Sequence, residues 1–267
     1  MFCYPIPMQI VELLDELDRY WGPFPRYLID ECIARREEIT PVLLEILEEL
    51  GAHPEAWPEQ EGMVHIYAMY LLAYFRETRA YPVLVALFSH PGEAILDLTG
   101  DAVLNNGSQM LTSVCGGDLS GIKALIEGEQ VNEYVRGLSM EALVFLVIAG
   151  RLTRDDVVPY FLELFQKMER RPGYHWDALA MAAVDLWPKE TLDELKRAFA
   201  DGLIGEDVME WKEIEAALAE GPARAAAPRR RQPFISNMEE DMGWMQAFQS
   251  SSPKRPRSAA HQRQRAN

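Results

Sequence analysis

The stretch that decides the fold is Val135-Arg136-Gly137-Leu138-Ser139-Met140-Glu141-Ala142-Leu143, which is followed by a second periodic stretch from Asp156 to Phe165. In both stretches apolar residues recur every three or four positions, which is the spacing of a helix with one buried face. Gly150 lies between them, and Thr153 with an acid three residues later is typical of a capped helix start. The pattern therefore predicts two consecutive helices joined by a short turn.

The same pair of helices recurs along the chain. Four candidate second helices end in an apolar pair, and successive pairs are 38, 39 and 34 residues apart: Leu87-Phe88, Leu125-Ile126, Leu164-Phe165 and Ala198-Phe199. Their first helices cover Met63 to Glu77, about Ile95 to Cys115 with an interruption, Asn132 to Ala149, and Tyr174 to Trp187. Periods of this size are typical of stacked two-helix repeats. We therefore predict an all-α fold, a HEAT-like α-solenoid of stacked antiparallel helix pairs.

The pattern divides the chain into a repeat domain and a C-terminal extension. Residues 1–220 form the predicted repeat domain, with N-terminal helices over 1–52 and about four helix pairs over 63–203. An Arg-, Pro- and Ala-rich linker follows over 221–233, and residues 234–249 are apolar enough for a short docking helix. Residues 250–267 contain so few apolar side chains that we predict a disordered basic tail.

Charge is distributed unevenly between these parts. The whole chain carries −16, whereas residues 221–267 carry +6, so the remaining residues carry −22. Such an acidic body repels phosphate backbones and favours cationic partners. Contact with nucleic acid is therefore expected only through the basic tail, which could equally fold back on the acidic body.

Cysteine use and hydropathy indicate a cytoplasmic protein. Cys3, Cys32 and Cys115 are far apart in the sequence, which is typical of a reducing compartment. The first twenty residues lack a basic region ahead of an apolar stretch, so no signal peptide is expected. The longest apolar run, Met63 to Phe75, has thirteen residues. A membrane span needs about 20, so we expect no contact with a membrane.

Short motifs in a fixed order give the chain a resemblance to a known family. The stretch from Val135 to Leu143, with Asp156 to Phe165 after it, resembles a HEAT-like repeat, in which a Val-Arg helix precedes a helix ending in Leu-Phe. The more specific motifs, which lie between residues 8 and 249, are Arg26-Tyr27-Leu28, Arg36-Glu37-Glu38-Ile39-Thr40-Pro41, Arg79-Ala80-Tyr81-Pro82, Gly92-Glu93, Asp97-Leu98-Thr99-Gly100-Asp101, Ser113-Val114-Cys115, Asn132-Glu133-Tyr134-Val135-Arg136-Gly137 and Met242-Gly243-Trp244. Together they resemble the bacterial family of domain of unknown function 1186. The resemblance implies an all-helical repeat fold and no established activity.

The chain departs from that family in two places. Many members end in a Cys-rich SEC-C zinc module, whereas this chain has no cysteine after Cys115. The resemblance therefore transfers no zinc site. The stretch Leu104-Asn105-Asn106-Gly107-Ser108-Gln109 stands where the family tends to have an acidic, helix-favouring segment. We predict a loop or a broken helix there.

Motifs for phosphate, metal or nucleophilic chemistry are absent from the sequence. It contains no Gly-rich phosphate loop, no His-Glu-x-x-His helix and no Cys-x-x-Cys pair. The five histidines are isolated from one another and from cysteine: His53, His65, His90, His175 and His261. Cys115 follows apolar residues at helical spacing, which indicates a buried structural thiol. We expect no metal and no cofactor.

Polar residues concentrate instead at the junction between the second and third repeats. The candidate partner-binding residues are Asp97, Asp101, Asp118, Asn132, Glu133, Tyr134 and Arg136. Asp97 and Asp101 are four apart, which predicts two carboxylates on one helical face. In the binding hypothesis they pair with a cationic ligand, Tyr134 offers a stacking surface and Arg136 orients the carboxylates. The structural alternative makes the same groups helix caps and inter-repeat ion pairs, because an Arg at this place in HEAT-like arrays resembles part of an Arg–acid ladder.

Three functions are compatible with these observations. The first is a non-catalytic binding or scaffold protein whose acidic repeat surface recognises a protein or peptide partner, expected to be cationic. The second is an RNA- or ribosome-associated factor that acts through the basic tail. The third is an enzyme with an unrecognised carboxylate site. The oligomeric state is left open.

Overall fold

Apolar residues at helical spacing form helices over most of the residues that the structure describes. The computed structural model describes residues 9–19, 22–59, 62–205, 207–226 and 232–245. Within these ranges there are fourteen α-helices and two 3-10 turns, and the only β-type pairing is an isolated bridge between Pro91 and Val131. The predicted all-α class is therefore confirmed.

The helices follow one another with short connections. Those before the repeats are α1 (Ile10–Asp18), α2 (Arg26–Ala34) and α3 (Arg36–Ala52), followed by a 3-10 turn over Pro54–Glu59. Those of the repeats are α4 (Val64–Tyr74), α5 (Ala80–Phe88), α6 (Ala94–Thr99), α7 (Asp101–Val114), α8 (Ser120–Glu127), α9 (Glu133–Ile148), α10 (Arg154–Lys167), α11 (Tyr174–Asp185) and α12 (Leu192–Ala200). The chain continues through α13 (Trp211–Glu220), a 3-10 turn over Pro222–Ala226, and α14 (Met238–Asp241).

The helices of the predicted repeats pack on one another in chain order. The first helices form one series in which α4 packs on α7, α7 on α9, α9 on α11 and α11 on α13. The second helices pack behind them, with α5 against α8 and α10 against α12. The largest buried side chains lie between these helices, among them Trp176, Tyr67, Tyr70 and Phe88. One apolar core therefore runs along the stack.

Local turn chemistry explains where several helices begin and end. Gly150 and Gly202 have positive φ angles of 66° and 65° just after α9 and α12. That conformation costs Gly little, and it lets the next residues cap the last carbonyls of the helix. At the start of α10, Thr153 and Asp156 form the predicted reciprocal capping box. The predicted cap at Thr153 is therefore confirmed.

The prediction of a loop or broken helix over residues 104–109 is wrong. These residues lie inside α7, which is continuous from Asp101 to Val114. Asn106 and Gln109 are buried and hydrogen-bonded to each other, so their polar side chains do not compete with the helix backbone. Gly107 lets α9 approach closely, because a Cβ atom there would lie 2.9 Å from a methyl carbon of Leu138. Tertiary packing thus overrides a weak local helix propensity.

Beyond α13 the chain returns to the first helices of the repeats. The 3-10 turn over Pro222–Ala226 packs on α9, and α14 packs on α4. The predicted docking helix over 234–249 is helical only over the four residues of α14, and its residues 246–249 lie outside the described ranges. The predicted disordered tail over 250–267 also lies outside them.

In the described part of the chain, no helix has both the length and the apolar character needed to cross a membrane.

Candidate functional site

The predicted site residues at the second and third repeats separate into two groups. Asp97, Asp101 and Asp118 are exposed, whereas Asn132 and Arg136 are buried. The prediction that Asp97 and Asp101 share one helical face is wrong, because they belong to α6 and α7. Gly100 separates these helices, with φ 54° and ψ −137°, which is not a helical conformation.

Asn132 and Asp118 act as caps. The Asn132 Oδ1 accepts a hydrogen bond of 2.9 Å from the Tyr134 N–H at the start of α9. Its Nδ2 donates to the Gly92 carbonyl at 2.9 Å and to Glu93 Oε1 at 3.1 Å, which ties α9 to the turn before α6. Asp118 Oδ1 accepts from the Ser120 N–H at 2.8 Å, and hydrogen bonds from Ser120 hold the pKa of Asp118 below its ordinary value. Both residues thus fit the structural alternative.

Arg136 joins three consecutive elements of the stack. Its side chain is only 2% exposed, and Nε donates to the Ile126 carbonyl at 2.9 Å in α8. The two terminal nitrogens donate to the two carboxylate oxygens of Glu169, which follows α10. Arg136 therefore does not orient Asp97 or Asp101, and its carboxylate partner is Glu169. Burial raises the pKa of Glu169, but the hydrogen bonds and charge of Arg136 outweigh burial and keep it below its ordinary value.

His175 lies beside this ion pair at the start of α11. It is fully buried, with Nδ1 3.7 Å from Glu133 Oε2 and Nε2 3.4 Å from Glu169 Oε1. Within the described part of the chain, neither of its ring nitrogens has a hydrogen-bond partner. Glu133 instead accepts a hydrogen bond of 2.7 Å from the Tyr174 N–H. Burial, and then the charge of Arg136, lower the pKa of His175.

The buried neutral imidazole predicts a loss of stability in mild acid. An unfolded histidine has a pKa of about 6.5 and His175 a lower one when folded, so protons bind preferentially to the unfolded chain. The contribution of His175 to the free energy of unfolding is complete above about pH 6.5. It is lost as the pH falls from there through the folded-state pKa. In urea titrations between pH 7 and pH 5, His175→Phe should therefore reduce the slope of stability against pH.

Part of that slope should survive, because burial also lowers the pKa of His65. A His175→Phe variant with the wild-type slope would contradict the prediction.

An open groove lies next to this cluster, on the face formed by the first helices. We call it the α9 groove; it has a volume of about 360 Å³, and its lining includes Leu104 of α7, Tyr134, Gly137, Leu138 and Glu141 of α9, and Tyr174, Met181 and Asp185 of α11. The rings of Tyr134 and Tyr174 are 4.7 Å apart at one end. Leu104 is 41% exposed, so part of its apolar side chain is open to solvent in the groove. The groove thus combines aromatic, aliphatic and carboxylate groups.

Small residues form the floor of the α9 groove. A Cβ atom at Gly137 would lie 2.7 Å from a ring carbon of Tyr174 and 2.8 Å from the Cβ of Ala178. Gly137 therefore lets α9 and α11 approach closely. The carboxylate of Glu141 accepts a hydrogen bond from Ser108, and Asp185 lies 3.7 Å from Arg224.

Of the groove lining, only Tyr134 was among the predicted site residues. The predicted stacking surface at Tyr134 packs against Tyr174 of the same chain. Leu104, Glu141, Tyr174, Met181 and Asp185 were missed. A single Gly inside a strongly periodic helix, as at Gly137, signals close helix approach and was the one local clue available.

The described residues provide little for metal chemistry. Within the ranges that the structure describes, no group of three or more His, Cys, Asp or Glu side chains is placed to hold a metal ion. Cys32 and Cys115 are both buried, and burial raises the pKa of Cys32 to about 12 and also raises that of Cys115. Neither thiol is therefore prepared to act as a nucleophile near neutral pH.

Comparisons with known proteins identify a family and name no activity. The chain is 38% identical over 215 residues to an uncharacterized protein of Chlamydia muridarum, which covers 80% of this chain and 86% of the relative. It is 37% identical over 215 residues to an uncharacterized protein of Chlamydia trachomatis serovar D, covering 80% of this chain and 85% of the relative. No solved structure matches the chain. The model of the family described as protein of unknown function (DUF1186) matches residues 8–249, and the chain therefore belongs to that family.

Proposed function

We propose that this protein is a non-catalytic binding protein that holds an extended segment of a partner protein in the α9 groove. One observation carries the proposal: α7, which contributes Leu104 to the groove, also binds polypeptide beside it, because residues of the chain's own C-terminal part lie on this helix. The Gln109 side chain of α7 donates to the Gln232 carbonyl at 2.9 Å, and the Ser113 hydroxyl accepts from the Ile235 N–H at 3.1 Å. Main-chain contacts of this kind are independent of the bound sequence.

The lining of the groove supports a particular partner chemistry. Leu104, Tyr134 and Met181 favour a large apolar or aromatic side chain, and the groove volume is in the range of ligand pockets. The carboxylate of Glu141 favours Lys or Arg in a flanking position, whereas Asp185 already lies beside Arg224. The charge of −22 outside residues 221–267 adds long-range attraction for such a segment. The partner is therefore a cationic segment with one apolar anchor.

We infer that this binding takes place in the cytoplasm. The two cysteines of the described ranges, Cys32 and Cys115, are free and buried. Unpaired buried thiols support a reducing compartment.

Selection of displayed random peptides against the full-length protein tests the proposal. Selected peptides should share an aromatic or aliphatic residue with Lys or Arg within a few positions, and their affinity should fall as salt is raised. Leu104→Asp should weaken the selected peptides at least tenfold, because it places a charge in the apolar part of the groove.

Val11→Asp is the matched control, since Val11 is an apolar residue 69% exposed on α1. It should leave the affinity unchanged. Peptides that bind wild type and Leu104→Asp equally well would refute the proposal.

A further inference from the structure

The C-terminal segment, residues Gln232–Met245, lies on the first helices of the first two repeats. Its apolar side chains are buried there: Ile235, Met238, Met242 and Met245. Asp241 Oδ2 accepts hydrogen bonds from the N–H groups of Ser236 at 2.8 Å and Asn237 at 3.0 Å. The segment therefore contains a turn that its own hydrogen bonds hold. It lies on these helices as a bound peptide would, and it does not form a further helix pair.

The surface under the segment is rich in polar groups. Tyr70 donates its hydroxyl hydrogen to Asn106 Oδ1 at 2.7 Å and accepts from the Trp244 indole N–H at 2.9 Å. Gln109 and Ser113 bond the segment's main chain. Polar groups placed in this way can exchange these hydrogen bonds for water, whereas a purely apolar floor could not. Water can thus satisfy the hydrogen-bonding groups of the floor when the segment is displaced.

Arg76 holds the segment from the end of α4. Its guanidinium lies 4.3 Å from the ring centroid of Phe234, and Nη1 donates to the Ser113 hydroxyl. Because that hydroxyl also accepts from the Ile235 N–H, one chain of contacts runs from Arg76 through Ser113 into the main chain of the segment. The contact of the Arg76 cation with the Phe234 ring and the shared Ser113 hydroxyl are specific for this segment. A segment held only by apolar contacts would not need them.

The backbone of Arg76 is strained. Its φ is +56°, and the Arg76 N–H and Glu77 N–H return to the carbonyls of Ala73 at 3.1 Å and Leu72 at 3.0 Å. The turns after α9 and α12 have the same hydrogen bonds, with glycine, Gly150 or Gly202, at the matching position. A residue with a Cβ atom adopts this conformation only at a free-energy cost. Arg76 therefore occupies a glycine position and makes contacts that glycine could not make.

We propose that the surface of α4 and α7 around Arg76 is a second polypeptide-recognition site, which the chain fills with its own C-terminal segment and which accepts in trans a segment of the same pattern from a partner protein. That pattern has an aromatic residue at the Phe234 position, an aliphatic residue next to it, and Met or Trp at the fourth, eighth and tenth positions after the aromatic. The inference rests on the proposed function, because both treat this face of the repeats as a polypeptide-binding surface.

The probe for the test is a fluorescent synthetic peptide with the sequence of residues 232–245, added to the full-length protein. Wild type should bind it weakly, because the cis segment competes. The variant with Phe234→Ser and Ile235→Ser loosens the cis segment and should bind the peptide at least tenfold more tightly. Adding Arg76→Gly to that variant should weaken binding of the peptide at least tenfold, because the phenylalanine ring of the peptide then has no cation to contact.

Arg76→Gly is chosen because glycine relieves the strained backbone, so the helix end keeps its turn. Hydrogen exchange provides a second readout in an otherwise wild-type chain, where the Ile235 amide should exchange at least tenfold faster in Arg76→Gly. Equal peptide affinity in wild type and the loosened variant, or unchanged exchange at Ile235, would overturn the inference. Leu104→Asp should leave binding of this peptide unchanged, so failure here is distinguishable from failure of the α9 groove.

Discussion

Replacing Arg136 with Met is expected to lower the free energy of unfolding by about 3–5 kcal/mol, because it leaves the carboxylate of Glu169 without its partner in a partly buried site. The Ile126 carbonyl at the end of α8 also loses its donor. The three elements that Arg136 joins would then lose the hydrogen bonds that connect them through this side chain. Urea denaturation at pH 7, with far-UV circular dichroism as the probe, measures the loss.

Asp101→Asn is the matched control for that change. Asp101 is exposed at the first residue of α7, and substitutions of this kind alter stability by about ±0.5 kcal/mol or less. The two variants therefore separate the observed pair with Glu169 from the sequence-based alternative of a structural pair with Asp101. A small effect of Arg136→Met together with a loss of several kcal/mol in Asp101→Asn would contradict the assignment of Glu169 as the partner.

Trp176→Ala is expected to cost about 3–5 kcal/mol, the range for truncating a large aromatic side chain in a core. Trp176 is fully buried, and its ring centroid lies 6.1 Å from that of Phe165. Its indole N–H donates to the Glu169 carbonyl at 2.9 Å, and the Arg170 guanidinium lies 5.5 Å from its ring. The variant therefore removes core volume and also frees the turn that carries Glu169.

Two further variants check the Trp176 prediction by thermal and urea unfolding. Trp176→Phe keeps most of the apolar volume and loses the indole hydrogen bond, so its cost should be about 1–2 kcal/mol. Trp211→Ala truncates a partly exposed indole on α13 and should cost less than Trp176→Ala. Equal losses for Trp176→Ala and Trp211→Ala would show that the turn before α11 is not held by Trp176.

Local signals were sufficient for the all-α fold class. Apolar spacing indicated the helices, and the cap at Thr153 depends only on residues close in sequence. The failure at Asn106 and Gly107 has the opposite cause, since their helix is stabilised by Tyr70 and Leu138, which are distant in sequence. A weak local propensity is reliable only where no packing partner competes with it.

The candidate site depended on contacts that no local pattern encodes. Arg136 was correctly singled out as a residue that needs an acid, but its partner Glu169 is 33 residues away in a connecting turn. The bond between Gln109 and Gln232 spans 123 residues, so the return of the chain to α7 could not be predicted from spacing. The α9 groove, in turn, is built from three helices whose individual faces look like ordinary core stripes.

Photo-crosslinking of the full-length protein in its native cells tests whether the α9 groove holds a partner protein. A benzophenone amino acid replaces Leu104 in one variant and Val11 in another. Both side chains are exposed and apolar, but only Leu104 lines the α9 groove. We expect discrete crosslinked proteins from position 104, joined through a segment with an apolar residue next to Lys or Arg, and none of these from position 11. The same products from both positions, or none from position 104, would contradict the binding of a partner in the α9 groove.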